Sequence, residues 1–341
     1  MNETIVTIHE ARSSTLRKAK ETAVQRFLLP VSAPSMFVTL ALTSVEPRHN
    51  VVGVGIGRKV VRGRLTGAKC IRLYVERKAP KEVIPPSLLL PTEITGVETD
   101  VIETGRFRPL QARKPFTKHR LRPARPGCSV GFQLDDQPGF LMAGTFGAVV
   151  RDNAGLYILS NNHVLANENR LPLQSQIFQP GLLDGGSSGS DRIARLSRFV
   201  EIRRHQPNTV DCAIARVDKP NHVRAVFLPK VGRLRNGIPV EAREEMGVHK
   251  VGRTTGYTEG TVFDINADIT VDYDIGPIIF QNQALIKGKQ GSFSAAGDSG
   301  SVIVDQATNQ PTALLFAGSS VFTVANHIAE VLLQLGVSIV E

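Results

Sequence analysis

Tryptophan is absent from this chain, and cysteine nearly so, with three in 341 residues. Cys70, Cys128 and Cys212 are far apart and odd in number, which fits neither a disulfide framework nor the paired spacing of a zinc site. No apolar run approaches the roughly 20 residues that a membrane-spanning helix needs. The opening "MNETIVTIHEARSSTLRKAK" has no apolar core behind a basic head, so it does not read as a secretory signal. Together these absences point to a soluble chain of a reducing compartment, the cytoplasm, with no membrane partner.

What the chain does have is glycine (30), proline (20) and many Val/Ile-rich runs, with 41% apolar residues. That mixture predicts mostly β structure with short connections. The length suggests two or three folding units. Residues 14–28, "STLRKAKETAVQRFL", carry Leu16, Ala19, Ala23 and Phe27 at helical spacing, with Ser14 as cap and Pro30 as stop. From residue 50 the pattern turns to strands, "NVVGVGIGRKVV", "CIRLYVERK" and "GVETDVIETG". Residues 1–105 therefore read as a small α+β domain. The "GVGIG" of Gly53, Gly55 and Gly57 is no nucleotide-binding loop. Arg58 breaks the G-x-G-x-x-G spacing and no helix pattern follows, so these glycines read as strand or bulge residues.

The formal charge of +10 is concentrated in residues 106–125, which hold eight Lys/Arg and no acid. Pro109, Pro115 and Pro123 deny that stretch any periodicity, so it reads as a linker or a chain draped over the next domain. Phe107 and Phe116 are its only aromatics. It lacks a stacking platform for nucleic acid, and a solvated linker is the preferred reading.

Residues 126–341 form a third part. From Cys128 to Val321 short strands follow one another with turn signals between them, the pattern of sandwiches and barrels. "TVANHIAEVLLQLG" reads as a closing helix, with Val324, Ile328, Val331, Leu332 and Leu335 on one face and Gly336 at its end.

Three segments in this part carry chemistry. "SAAGDSGSVIV" sets Ser299 between glycines ahead of an apolar strand, which lets the backbone turn tightly and leaves the hydroxyl exposed. The amides of Gly297 and Ser299 could then converge on one point, as an oxyanion hole requires. Gly-Asp-Ser alone is a common turn. "GLYILSNNHVLANEN" runs an apolar strand into His163, a context that the seven other histidines lack; alone, such a histidine is more often a cap or a core residue. "NTVDCAIARV" interrupts an apolar run with Asp211, and an acid there needs a partner. Asp191 and Asp218 are alternatives in more polar surroundings. The order His, Asp, Ser, with gaps of 48 (211 minus 163) and 88 (299 minus 211), puts a nucleophile, a base and an orienting acid in one β-rich region.

On these motifs, "SNNHV", "DCAIA" and "AGDSGS", the region from about 126 to 341 resembles the trypsin-like, chymotrypsin-fold serine peptidases. "KVGRTTGYTEGTV" is similar to the strand and turn that open the second barrel in bacterial members, and "TALLFAGSS" to the strand beside bound substrate. The resemblance implies a mostly β fold of two six-stranded barrels packed at right angles, with the site in the cleft. It implies a serine endopeptidase acting on protein or peptide substrates, with catalytic His163, Asp211 and Ser299 and no cofactor or metal. "NVVGVGIGRKVVRGRLTG" and "IRLYVERKAP" resemble the plant narrow-leaf type proteases and their bacterial relatives.

There are departures. Secreted members pair the acid beside the serine with an amino terminus freed by cleavage. Here that acid is Asp298, and no activation site precedes "CSVGF", so Asp298 needs another partner. Ser301 replaces the second glycine of the usual Gly-Asp-Ser-Gly-Gly. The family's pocket-floor position falls on Phe293, with Ala317 and Gly318 as the opposite wall, which implies cleavage after apolar or small residues. The competing expectation is a catalytically idle protease fold used as a scaffold. The N-terminal domain is a candidate gate, substrate selector or homo-oligomer surface.

Overall fold

The structure, a computed structural model, describes residues 2–28, 50–61, 63–107, 116–134, 141–228 and 230–341, with residues 2–12 and 81 described by backbone alone. Of the basic stretch, residues 108–115 lie outside the described residues, as does Pro30. The chain divides into two compact units, 1–107 with 266–271, and 108–265 with 272–341.

The first unit opens on α1 (Asn2–Phe27). The helix starts well before Ser14, which lies inside it rather than capping it. Its buried stripe of Ala19, Ala23, Val24 and Phe27 clusters with Val51, Val54, Ile71 and Leu73 of the sheet. That sheet contains β1 (Val51–Val61), β2 (Arg64–Val75), β3 (Glu93–Ile94) and β4 (Val97–Glu103). β1 pairs antiparallel with β2, β2 parallel with β4, and β4 antiparallel with β3. The free edge of β1 takes residues 267–269 of the same unit, in the register Gly53↔Ile269 and Gly55↔Ala267. A Cβ at Gly53 would lie 2.5 Å from Ile269 Cδ1. The "GVGIG" glycines thus lie in a strand, and Gly53 admits its neighbour's side chain.

The second unit contains two barrels. The first uses β5 (Ser129–Val130), β6 (Gly144–Thr145), β7 (Ala148–Asp152), β8 (Gly155–Ser160), the one-turn helix α2 (Asn162–Leu165), β9 (Gln176–Phe178), β10 (Arg192–Phe199) and β11 (Ala213–Val217). Pairing runs β7-β8-β11-β10-β9. A bridge from Gly131 to Phe178 and the β5–β6 pairing close the ring. Val130, Phe146, Ile158, Ile193 and Ile214 fill it.

The second barrel uses β12 (Gly247–Gly252), β13 (Gly256–Tyr273), β14 (Gly276–Gly288), β15 (Val302–Asp305), β16 (Pro311–Gly318) and β17 (Phe322–His327). The order β12-β15-β16-β17-β14-β13 returns to β12, so the sheet closes on itself. Its core holds Val248, Val262, Ile286, Ile303 and Leu315. The fold is thus mostly β.

The closing helix α3 (Ile328–Leu335) is shorter than its sequence pattern predicts, because "FTVANH" is strand β17, paired on both sides by β14 and β16. Gly336 ends it in the left-handed region (φ 65°). A short β18 (Ser338–Ile339) then joins β7. The described part of the basic stretch is largely committed to the second unit. Arg120 and Arg122 pair with Asp191 at 2.6 and 3.3 Å, and Arg125 donates to the carbonyls of Val226 and Phe227. No helix among the described residues is long and apolar enough to cross a membrane.

Candidate active site

The apolar strand β8 stops at Ser160, and α2 follows at once with His163 on it. The turn is held by Asp211, which lies just ahead of β11. Asp211 Oδ1 accepts from the amides of Asn162 (2.6 Å) and His163 (3.3 Å), and its carbonyl accepts from Asn161 Nδ2 (2.7 Å). One carboxylate therefore caps the turn and meets the imidazole on it, with Asp211 Oδ2 2.5 Å from His163 Nδ1. Asp211 is fully buried and His163 is 2% exposed. A carboxylate facing Nδ1 assigns the proton to that nitrogen and leaves Nε2 as the basic one. The other two acids are used elsewhere. Asp191 holds Arg120 and Arg122, and Asp218 holds Arg192 at 2.7 Å.

Ser299 stands on a turn that only glycine can flank. Gly297 and Gly300 have φ of 89° and 94°. A Cβ at Gly300 would lie 2.0 Å from Ser160 Oγ, and one at Gly297 2.2 Å from Arg253 Nη1. β6 brings this turn beside α2: Thr145 N donates to Ser299 O (2.8 Å). A Cβ at Gly144 would lie 2.6 Å from Val164 Cγ2 and 2.9 Å from Ser299 O. The Ser299 hydroxyl donates to Phe316 O at 3.2 Å, and among the described residues no hydrogen bond joins it to His163. The amides of Asp298, Gly300 and Ser301 are taken by the carbonyls of Ala295, Leu315 and Asp298. Those of Gly297 and Ser299 have no acceptor among the described residues, and two free amides on either side of a residue are what a developing oxyanion needs.

Asp298 is fully buried and densely paired. Its Oδ1 accepts from the amides of Thr254 (2.8 Å) and Thr255 (3.1 Å). Its Oδ2 accepts from Ala295 N (2.9 Å), Thr255 Oγ1 (2.6 Å) and Lys250 Nζ (3.1 Å). Lys250 is wholly buried on β12, and its ammonium also donates to Thr255 Oγ1. Burial pulls the Lys250 ammonium below the usual lysine range, with Asp298 opposing that shift. Arg253, beneath Gly297, makes a two-pronged contact with Asp184 at 2.5 and 2.8 Å, and Asp184 also accepts from Ser129 Oγ (2.6 Å).

Phe293 lies in the core of the second barrel, 2% exposed, with Lys250 Nζ 5.7 Å from its ring centre. Ala317 and Gly318 lie buried at the end of β16, and Ser294 Oγ meets Thr323 Oγ1 at 2.5 Å. Among the described residues no group of three or more His, Cys, Asp or Glu side chains is placed to hold a metal ion.

Sequence reasoning missed two members of this neighbourhood. Lys250 was legible, because "GVHKVG" alternates as a strand and puts Val248, Lys250 and Gly252 on one face. A lysine on an apolar face demands a buried acid. Tyr273, whose hydroxyl donates to Asp211 Oδ2 at 2.5 Å, was not legible. It sits 62 residues beyond Asp211, in an ordinary strand end.

No family model matches the chain, and no curated protein matches it. Among solved structures it is similar to a glutamic acid specific serine protease described as using a histidine triad in substrate binding, with 18% identity, 63% of this chain and 100% of that one covered, and a TM-score of 0.45. It is similar to Thermobifida fusca protease A at 17% identity, covering 63% and 97%, with a TM-score of 0.45. It is also similar to Nocardiopsis protease at 16% identity, covering 63% and 98%, again with a TM-score of 0.45.

Proposed function

We propose that this chain is a serine endopeptidase. Ser299 Oγ attacks the scissile carbonyl while its proton passes to His163 Nε2. Asp211 orients the ring and stabilises the imidazolium. The amides of Gly297 and Ser299 hold the oxyanion. Collapse of the tetrahedral adduct breaks the C–N bond, His163 returns the proton to the leaving amine, and water then hydrolyses the acyl-enzyme by the same steps in reverse. The observation that carries this reading is the buried 2.5 Å contact of His163 Nδ1 with Asp211 Oδ2, together with a serine turn in which the amides of Gly297 and Ser299 have no acceptor among the described residues.

Lys250 removes the need for an activation cleavage. It supplies to Asp298 the positive charge that a freed amino terminus supplies in secreted relatives. Cleavage after apolar or small residues follows from taking Phe293 as the pocket floor and Ala317 and Gly318 as its wall, with the cation near Phe293, Lys250, already neutralised by Asp298. For the N-terminal domain, whose sequence resembles the narrow-leaf type proteases, the proposed role is that of a gate, a substrate selector or an assembly surface.

One observation favours the rival reading of an idle scaffold: the Ser299 hydroxyl donates to Phe316 O and must leave it to meet His163. A fluorophosphonate probe separates the two. The peptidase reading expects covalent labelling of the wild type and none of Ser299→Ala, with a loss of roughly 10⁴ or more in turnover for any member of the triad. Absence of labelling in the folded wild type, or equal labelling of Ser299→Ala, removes it. Tetrapeptides differing only in the residue before the cut test the pocket: a tenfold preference for Arg or Lys over Leu (about 1.4 kcal/mol) would overturn the neutral-pocket assignment.

A further inference from the structure

The Asp211 carboxylate has no access to water and must satisfy its charge from the protein alone. Each of its oxygens accepts two hydrogen bonds, which accounts for its whole acceptor capacity. Oδ1 takes the amides of Asn162 and His163. Oδ2 takes His163 Nδ1 at 2.5 Å and Tyr273 Oη at 2.5 Å. Three of the four donors belong to the α2 turn. The fourth belongs to the end of β13, in the other barrel.

Tyr273 is held where it is by more than that bond. Its ring meets the His163 ring edge-on, with centres 5.8 Å apart and planes at 74°. On its other side it packs on Phe280 (5.8 Å), and Phe280 packs on Phe316 (4.7 Å), whose carbonyl accepts from Ser299 Oγ. The turn after Tyr273 is pinned by Glu168, whose carboxylate accepts from the amides of Asp274 and Ile275, both at 3.1 Å. A line of rings therefore runs from the acid to the residue that holds the nucleophile.

We infer that Tyr273 is a positioning residue of the His163–Asp211 pair: its hydroxyl fixes the rotation of the Asp211 carboxylate so that Oδ2 faces His163 Nδ1. With only the α2 donors, Oδ1 would be fixed by two amides while Oδ2 had the mobile imidazole alone. The imidazole must turn slightly to pass its proton to a leaving group, and a second donor on Oδ2 keeps the carboxylate still while it does. Burial, and the charge of Asp211 beside it, push the Tyr273 phenol well above the usual tyrosine range, so it stays a donor throughout.

The inference rests on the peptidase reading for its consequence, but not for its detection. In wild-type protein the Tyr273 hydroxyl proton and the His163 Nδ1 proton share one acceptor, so ¹H NMR should show a nuclear Overhauser cross-peak between them. Tyr273→Phe keeps the ring and deletes the donor. The single remaining bond to Oδ2 should then shorten and move the His163 Nδ1 proton resonance further downfield. The limiting rate of inactivation by the fluorophosphonate probe should fall about tenfold, with its half-saturating concentration unchanged. A merely structural tyrosine would lower thermal stability and leave resonance and limiting rate in place. A missing cross-peak in the wild type, or an unmoved resonance with a limiting rate within twofold, overturns the assignment. A wild type that shows the cross-peak but does not label would sink the peptidase reading and leave the positioning of Asp211 standing.

Discussion

Replacing Lys250 by methionine keeps the length and apolar stem of the side chain and removes its charge together with its hydrogen bonds to Asp298, Thr255 Oγ1 and Gly256 O. At 3.1 Å, the attraction between Lys250 Nζ and Asp298 Oδ2 is about 5 kcal/mol at the effective dielectric of about 20 that suits protein interiors. Part of that gain is offset in the wild type by the desolvation of both ions. The loss on substitution is set by what stays behind, a fully buried Asp298 with no counter-charge. Removing one partner of a buried pair typically costs about 3–5 kcal/mol. Here the lower end is expected, because four neutral donors remain on Asp298, from Thr254 N, Thr255 N, Thr255 Oγ1 and Ala295 N. With a urea slope of about 3 kcal/mol/M, that is a drop of about 1 M in the unfolding midpoint. The same carboxylate pins the turn that carries Gly297 and Ser299, so probe labelling should fall even where the variant is fully folded. Asp298→Asn and the double variant complete a cycle, and a coupling of about 2–3 kcal/mol is expected between the two positions. A midpoint shift worth under about 1 kcal/mol, with coupling near zero, would refute the assignment of Lys250 as counter-ion and with it the account of how Asp298 does without a freed amino terminus.

Gly297→Ala forces a side chain onto a residue with φ of 89° and onto Arg253 Nη1 at 2.2 Å. It should cost about 1–3 kcal/mol in stability and about 10²-fold in probe labelling, and a variant labelled at the wild-type rate would show that this amide is not an oxyanion donor. Burial pushes the thiol of Cys70 up to about 11 and that of Cys128 up to about 12, and raises that of Cys212 as well. The native protein at pH 8 should therefore show no thiol that reacts with Ellman's reagent within minutes, and all three after denaturation; one fast native thiol would contradict that placement. Deleting residues 1–105 strips β1 from residues 267–269 and leaves the buried Ala267 and Ile269 on an unpaired edge. The remaining 106–341 fragment should self-associate in light scattering, and a monodisperse monomer of it would refute this.

How much of the site the sequence carries differs residue by residue. Ser299 and its flanking glycines are legible because a tight glycine-flanked turn before an apolar strand has few other sequence solutions. His163 is legible by its place at the end of the apolar run of β8. The pattern could not choose among Asp191, Asp211 and Asp218, because the partner of a buried acid depends on which strands adjoin. The ladder sets β11 beside β8, in the register Ala213↔Ser160, which delivers Asp211 to the α2 turn. The extent of α1 and the start of α3 also escaped the pattern. Local periodicity does not say where a neighbour strand takes over, as β14 and β16 do for "FTVANH".

By itself the sequence determined a mostly β chain with three motifs of one kind of chemistry, because strand alternation, turn glycines and interrupted apolar runs are local properties. The tertiary structure alone decided what completes each group. Lys250 meets Asp298 across 48 residues, and Tyr273 meets Asp211 across 62. A buried charge takes whichever donor the closed barrels bring within reach, and no property of the chain nearby records that choice.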